Sequence, residues 1–167
     1  MRYNMLHLIK DIADNFFNFL SQDPVRPSIP HDKRVGPNRD VFVLKDDQEV
    51  KAITCVSYQD TIPTTENELF AESTQPTVAV FYTIWSYAPG AGRQLIFDSV
   101  KHIQNRQTNI QRFVTLSPKT EMAKRFHLKN GARVFKENNE TVNYEYINNH
   151  IIDLQGMINE NQNSASR

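Results

Sequence analysis

The sequence contains a single cysteine, Cys55, only five glycines, and no excess of charge of either sign. One cysteine cannot form an internal disulfide, and its apolar, strand-like surroundings favour a buried thiol over a nucleophile. Nineteen basic residues balance nineteen acidic ones, so no net field attracts nucleic acid or an anionic membrane. No apolar run approaches the roughly 20 residues of a membrane span, and the N-terminus lacks a signal-peptide core. These absences predict a cytoplasmic protein that binds neither nucleic acid nor membranes.

The chain does contain the material for one domain. Its 167 residues, 39% of them hydrophobic, are enough to bury a core, so we predict a single domain over residues 1–167. Apolar residues at three- and four-residue spacing predict an amphipathic helix within residues 1–21. Four prolines within residues 22–38 predict a loop, which could form a rim facing the substrate. The polar residues 159–167 predict a disordered tail.

The rest of the chain alternates apolar runs with polar turns and contains no internal repeat. Short runs rich in β-branched and aromatic residues predict strands, the first two of which form a hairpin. Apolar residues at helical spacing predict two helices. The predicted strands lie at residues 41–44, 50–58, 77–85, 112–116, 133–136 and 142–147, and the helices follow residue 93 and span residues 121–129.

A glycine-bearing turn, residues 88–93, connects the most apolar strand to the first of these helices. Gly90 and Gly92 let the backbone approach a ligand, and the N-terminus of the next helix offers unpaired N–H groups. Together with Ala91 and Arg93 they form a candidate pyrophosphate site. A tight strand-to-helix connection explains the same glycines without any ligand. The lysine of a P-loop and the downstream acid of a dinucleotide fold are both missing.

The order of these elements resembles the GNAT acetyltransferase fold. The resemblance implies an α+β protein with a mixed central sheet flanked by helices. In that superfamily the turn after the fourth strand cradles the pyrophosphate of coenzyme A, which implies that Gly90, Ala91, Gly92 and Arg93 bind CoA. One position departs from the pattern, because Tyr87 stands where the superfamily usually has Gln or Arg.

Four stretches are more similar to the catalytic domain of malonyl-CoA decarboxylases than to ordinary acetyltransferases. F-Y-T-I at residues 81–84 is similar to the family's F-Y-S-I strand, and T-L-S-P at residues 115–118 is similar to its T/S-L-S-P. F-H-L-K-N-G-A at residues 126–132 is similar to F-H-L-x-N-G-A, and N-Y-E-Y at residues 143–146 resembles the N-Y-x-Y that follows it. The family's long helical insertion between the serine and histidine motifs is absent here.

The same resemblance implies roles for four residues. Ser117 and His127 are expected to be catalytic, and Asn130 and Tyr144 are expected to support them. Decarboxylation of a malonyl thioester leaves an enolate, so a site must hold the carboxylate, stabilise an oxyanion and protonate the α-carbon. Ser117 would orient the carboxylate, and His127, whose ordinary pKa lies near neutrality, would protonate the enolate. The pair Asn130-Gly131 is also typical of a helix end.

Ser117 and His127 both have purely structural alternatives. A serine before Pro118 is typical of a helix N-cap, and a helical histidine is often only a surface or capping residue. A helix that began at Pro118 would place His127 roughly 15 Å further along its axis, at 1.5 Å per residue, and out of reach of Ser117. The catalytic interpretation therefore requires that Ser117 ends a strand and that Thr120 caps the helix.

We therefore expect an acyl-CoA decarboxylase that converts malonyl-CoA, or a related malonyl thioester, to acetyl-CoA and carbon dioxide. The second hypothesis is an N-acetyltransferase that uses acetyl-CoA, with a base from the acidic loop at residues 66–72. The third is a noncatalytic module that binds acyl-CoA or an acyl-carrier pantetheine. No cofactor is expected beyond the CoA thioester. No metal is expected either, because His102, His127 and His150 lack ligand spacing.

Overall fold

The chain folds around one mixed β-sheet, and this computed structural model describes residues 4–147. The strands are β1 Met5–Ile9, β2 Arg39–Asp46, β3 Glu49–Gln59, β4 Val78–Ser86, β5 Arg112–Thr115, β6 Ser117–Pro118, β7 Arg133–Glu137 and β8 Thr141–Tyr146. Two α-helices, α1 Ala91–Arg106 and α2 Glu121–Lys129, and three short 3₁₀ helices, Phe17–Gln22, His31–Arg34 and Glu66–Phe70, complete the described part. The strand order is β1-β2-β3-β4-β5-β8-β6, with β7 also paired to β8. Within this sheet β4 and β5 are parallel, and the other pairs are antiparallel.

The predicted elements after residue 40 are confirmed, but the predicted N-terminal helix is wrong. Residues Met5–Ile9 form β1 and extend the sheet beside β2. The carboxylates of Asp11 and Asp14 then accept the backbone N–H groups of Ala13 and Phe16, at 2.8 Å each. Such local side-chain bonds compete with helix formation. The apolar spacing fits a helix in isolation, but pairing with the open edge of β2 and these aspartate turns favour a strand and a loop.

The two faces of the sheet are covered in different ways. On one face α1 packs Leu95, Ile96 and Val100 against strand residues such as Phe42 and Phe81. On the other face the loops and 3₁₀ helices pack against the sheet, and their buried apolar residues include Leu20, Ile29 and Leu69. The proline-rich segment, residues 22–38, belongs to this second layer and is irregular apart from the 3₁₀ helix His31–Arg34. Residues 159–167 lie outside the described residues.

A buried ion pair anchors the proline-rich segment to the sheet. The Arg34 guanidinium is fully buried and donates to Asp23 Oδ2 at 2.6 Å. Asp23 Oδ1 accepts from the backbone N–H groups of Val25 and Arg26 and from the Thr83 hydroxyl, at 2.8–2.9 Å. Because both charges are paired and bonded to the backbone, the pair fixes the path of the chain next to β4.

The short strand β5 pairs in parallel with only the first part of β4. Their register runs from Val78 opposite Arg112 to Phe81 opposite Thr115, and one further bond joins Leu116 N–H to Phe81 O at 3.0 Å. On the other side of β4, the pairing of consecutive β3 residues with Phe81 and Thr83 leaves Tyr82 as the extra residue of a β-bulge. β4 then continues to Ser86 without β5, which leaves a gap at this point of the sheet.

Candidate active site

A cavity of about 380 Å³ opens where β4 separates from the strands beyond it. Its walls come from the second half of β4, from Pro24 and Val25 of the anchored loop, from Gly92 at the start of α1, and from one side of α2. Ser117 and His127 both line it. The fold therefore brings the predicted catalytic pair and one glycine of the predicted CoA turn to a single cavity.

Ser117 lies in a short strand and does not cap α2. It belongs to β6, pairs with Val142 on β8, and is 4% exposed. The N-cap of α2 is Thr120, whose hydroxyl accepts the Ala123 N–H at 3.2 Å. The N-cap alternative for Ser117 is therefore wrong, and Thr120 caps α2 as the catalytic interpretation requires, although Ser117 begins the short strand β6 instead of ending the strand before it. The Ser117 hydroxyl donates to Thr115 Oγ1 at 2.8 Å.

His127 projects from the buried side of α2 and is 4% exposed. Its Nδ1 lies 2.8 Å from the Tyr146 hydroxyl, and its ring stacks on Tyr144 with centroids 5.0 Å apart. Burial lowers the pKa of His127 to about 3. The near-neutral pKa expected from the sequence is therefore wrong for the ligand-free protein, because burial penalises the imidazolium.

The contact between Tyr146 and His127 Nδ1 bears on which nitrogen of the neutral imidazole carries the proton. The two atoms lie 2.8 Å apart, and we assign the hydrogen of this bond to the phenol, so that Tyr146 donates to Nδ1. Neutral imidazole carries one proton, which then lies on Nε2. Burial also raises the pKa of Tyr146, so the phenol stays protonated.

The N-Y-E-Y stretch on β8 supports the site more fully than the sequence indicated. Asn143 donates to the carbonyl oxygens of Thr115, at 2.8 Å, and Pro63, at 2.9 Å. The Tyr144 N–H donates to Thr115 Oγ1, the acceptor that also binds Ser117. Sequence reasoning singled out Tyr144 and missed Tyr146. The signal was available, because residues two apart on a strand share a face.

Asn130 ends α2 and does not line the cavity. It is the C-cap, where its backbone N–H donates to Phe126 O at 3.2 Å. Gly131 follows with a φ of 97°, in the left-handed region that favours glycine. The helix-ending interpretation of this pair is therefore the one that the contacts support.

The four residues of the predicted CoA turn differ in their surroundings. Gly90 is the N-cap of α1 with a φ of 77°, a conformation that side chains other than glycine rarely adopt. Ala91 is buried in the core, and the Arg93 guanidinium lies over the Phe97 ring. Gly92 lines the cavity, and a Cβ built there would lie 3.0 Å from the Phe126 ring. This glycine therefore allows close packing of α1 on α2, a role that the sequence did not indicate.

The acidic loop does not supply a base to the cavity. Glu66 lies 3.4 Å from Arg26, and Glu68 accepts from the backbone and hydroxyl of Thr64 and from the Thr65 hydroxyl. None of the loop's glutamates lines the cavity, whose ionisable lining side chains are Tyr82 and His127. In the part of the chain that is described, no three His, Cys, Asp or Glu side chains are placed to hold a metal ion. Nor is any helix of residues 4–147 long and apolar enough to span a membrane.

Comparison with solved structures shows the GNAT-like fold. The chain superposes on the GNAT domain of S. lividans PAT with a TM-score of 0.59 and 14% identity, over 87% of this chain and 96% of that one. A Bacillus subtilis acetyltransferase in complex with CoA gives a TM-score of 0.58 at 12% identity, over 87% of this chain and 99% of that one.

The chain is also similar to structures of malonyl-CoA decarboxylase. The enzyme from Agrobacterium vitis superposes with a TM-score of 0.74 and 16% identity, over 90% of this chain. The match spans 62% of that longer chain, so the described fold corresponds to part of the enzyme. No protein-family model matches the sequence, and no curated protein matches it.

Proposed function

We propose that this chain is an acyl-CoA decarboxylase that converts malonyl-CoA, or a related malonyl thioester, to acetyl-CoA and carbon dioxide. The observation that carries the proposal is the meeting of Ser117, His127 and Gly92 in one cavity at the gap beside β4. The similarity to malonyl-CoA decarboxylase structures agrees with it. CoA would lie along the N-terminus of α1, where Gly90, Gly92 and Arg93 offer backbone donors to the pyrophosphate; the Ala91 N–H already donates to Ala88 O at 3.2 Å.

In this proposal Ser117 and His127 act on neighbouring parts of the acyl group, the carboxylate and the α-carbon. The Ser117 hydroxyl turns from Thr115 towards the acyl carboxylate and orients it. The bond between the α-carbon and the carboxylate breaks, carbon dioxide leaves, and the electron pair remains as the thioester enolate. His127 delivers a proton to the α-carbon, so that acetyl-CoA forms.

The low pKa of His127 fits this cycle once the substrate charge is included. The net reaction consumes one proton, and a neutral imidazole is a poor proton donor. A carboxylate bound beside His127 favours the imidazolium and raises its pKa from about 3 towards neutrality. Substrate binding would therefore cause His127 to take up the proton that it later donates.

Acetyl transfer to an amine is less well supported. That reaction needs a base for the amine, and no carboxylate lines the cavity. The direct test is mass spectrometry of purified protein incubated with malonyl-CoA and, separately, with acetyl-CoA and a panel of amines. Conversion of malonyl-CoA to acetyl-CoA supports the proposal. Acetylated amine, or retention of both thioesters unchanged, contradicts it.

A further inference from the structure

The Arg26 guanidinium lies where β4 and the strands beyond it stop pairing. Its Nε donates to Tyr82 O at 3.2 Å, and its Nη2 donates to Leu116 O at 2.8 Å. Tyr82 is the bulged residue of β4, and Leu116 immediately precedes Ser117. Because one rigid planar group holds both carbonyls, it fixes the width of the gap into which the cavity opens.

The same group places a positive charge behind the cavity wall. The Arg26 side chain is 11% exposed, and the preceding residues Pro24 and Val25 line the cavity. The carbonyl that Nη2 contacts belongs to the peptide bond between Leu116 and Ser117, so the charge lies within one peptide unit of Ser117. A guanidinium remains protonated in proteins.

The charge of Arg26 is only partly balanced by acidic neighbours. Glu66 Oε1 is 3.4 Å from Nη1, a long contact, and that carboxylate is 40% exposed. Asp23 is nearby but forms its short ion pair with Arg34. Burial lowers the pKa of Arg26, and Glu66 and Asp23 act in the opposite direction. The Arg26 guanidinium can therefore still attract a further negative group.

We infer that Arg26 is a specificity-determining residue, which makes the cavity select acyl thioesters whose acyl end carries a carboxylate. The inference rests on the proposed function, because it assumes that the acyl group lies beside Ser117. A buried cation attracts a carboxylate through the low-dielectric wall more strongly than through water. A neutral acyl end receives no such attraction.

The test compares two CoA thioethers that cannot be decarboxylated, S-(2-carboxyethyl)-CoA and S-propyl-CoA. They share the CoA moiety and a three-carbon chain, so the ratio of their Kd values isolates the preference for the carboxylate. Calorimetric titration of Arg26→Met should lower that preference about tenfold relative to the wild type. Arg26→Lys keeps the charge without bridging both carbonyls, and it should retain most of the preference.

Glu66→Gln is a control that should change the preference for the carboxylate in the opposite direction. It removes the partial counter-charge and should raise the preference for the carboxylate about threefold. An unchanged ratio in both Arg26→Met and Glu66→Gln would overturn the inference. If Arg26→Met fails to fold, the ratio of Kd values measured for Glu66→Gln alone decides whether the inference stands. Turnover of malonyl-CoA by the wild type is measured separately. If the wild type does not turn over malonyl-CoA but the ratio of Kd values still depends on the charge at residues 26 and 66, the decarboxylase proposal is rejected and the role of Arg26 stands.

Discussion

Among single residues, His127 depends on its neighbours for its chemistry. Burial holds it neutral, Tyr144 stacks on the ring, and Tyr146 occupies Nδ1. The hydrogen bond at one imidazole nitrogen fixes the state of the other. In the proposed mechanism Tyr146 is thus a positioning residue for His127.

Replacing Tyr146 by Phe tests that role. The substitution keeps the ring but removes the partner of Nδ1, so the proton is no longer confined to Nε2. We expect decarboxylation to slow roughly tenfold and its pH profile to shift, because in part of the molecules the imidazole proton would lie on Nδ1 instead of Nε2. Tyr144→Phe is the matched control, since it keeps the stacked ring, and it should leave the pH profile unchanged. Identical profiles for Tyr146→Phe and the wild type would contradict the role.

Ser117→Ala separates catalysis from folding. The serine bonds to Thr115 and does not cap α2, so its loss should cost only about 1 kcal/mol of stability. The rate per folded molecule should fall about a hundredfold, as when one transition-state donor is removed. Thermal melts beside rate measurements check both quantities.

Thr120→Ala should cost a similar amount of stability but spare the activity. It removes the N-cap bond of α2, with a cost of about 1 kcal/mol. Turnover per folded molecule should stay near the wild-type value. If Ser117→Ala and Thr120→Ala behaved alike, the separate roles assigned to the two hydroxyls would be wrong.

Among the elements, α1 and α2 come into close contact next to His127. Gly92 on α1 faces the Phe126 ring on α2, and Phe126 directly precedes His127. A side chain at residue 92 would push on that ring before it met a ligand. A Cβ at residue 92 would therefore press on the residue that precedes His127.

Gly92→Ala tests this contact. We expect a loss of about 1–3 kcal/mol in stability from overpacking, with a lower decarboxylation rate because α2 shifts. Gly90→Ala is the control, because a Cβ there meets no atom within 4 Å and only the positive φ is strained. It should cost about 1–2 kcal/mol, and because Gly90 belongs to the proposed CoA turn, any loss of activity should appear in the KM for malonyl-CoA and not in kcat. A Gly92→Ala variant that lost only CoA affinity would contradict the packing role.

Sequence patterns predicted the elements well where local and tertiary preferences agree. The bounds of α2 follow from its apolar spacing and from caps at both ends, Thr120 and the pair Asn130-Gly131. Residues Met5–Ile9 were mispredicted because their spacing fits a helix as well as a strand, and only the edge of β2 decides between them. The burial of His127 and its bond to Tyr146 join parts of the chain that are distant in sequence, and no local pattern encodes such contacts.

At the scale of the whole molecule, burial of His127 couples folding to pH. Its pKa is about 3 in the folded protein against an ordinary 6.5, so the unfolded chain binds more protons between these values. Stability should therefore be fully present above pH 6.5 and should fall as the pH drops towards 3, in total by a few kcal/mol. Urea unfolding of the wild type and His127→Asn across this range checks the sign. The variant should lose less stability on acidification, and parallel curves would contradict the burial of a neutral His127.

The most direct measurement of the proposed decarboxylation is turnover of malonyl-CoA in deuterated water. Protonation of an enolate must place solvent deuterium on the methyl group of the acetyl-CoA product, whereas acetyl transfer leaves that methyl unlabelled. We predict that the wild type forms acetyl-CoA with one more deuterium in the methyl group than the recovered substrate carries. His127→Asn should form almost none while still binding CoA. Absence of acetyl-CoA from the wild-type reaction, or turnover by His127→Asn at the wild-type rate, would contradict the proposed function and the role of His127.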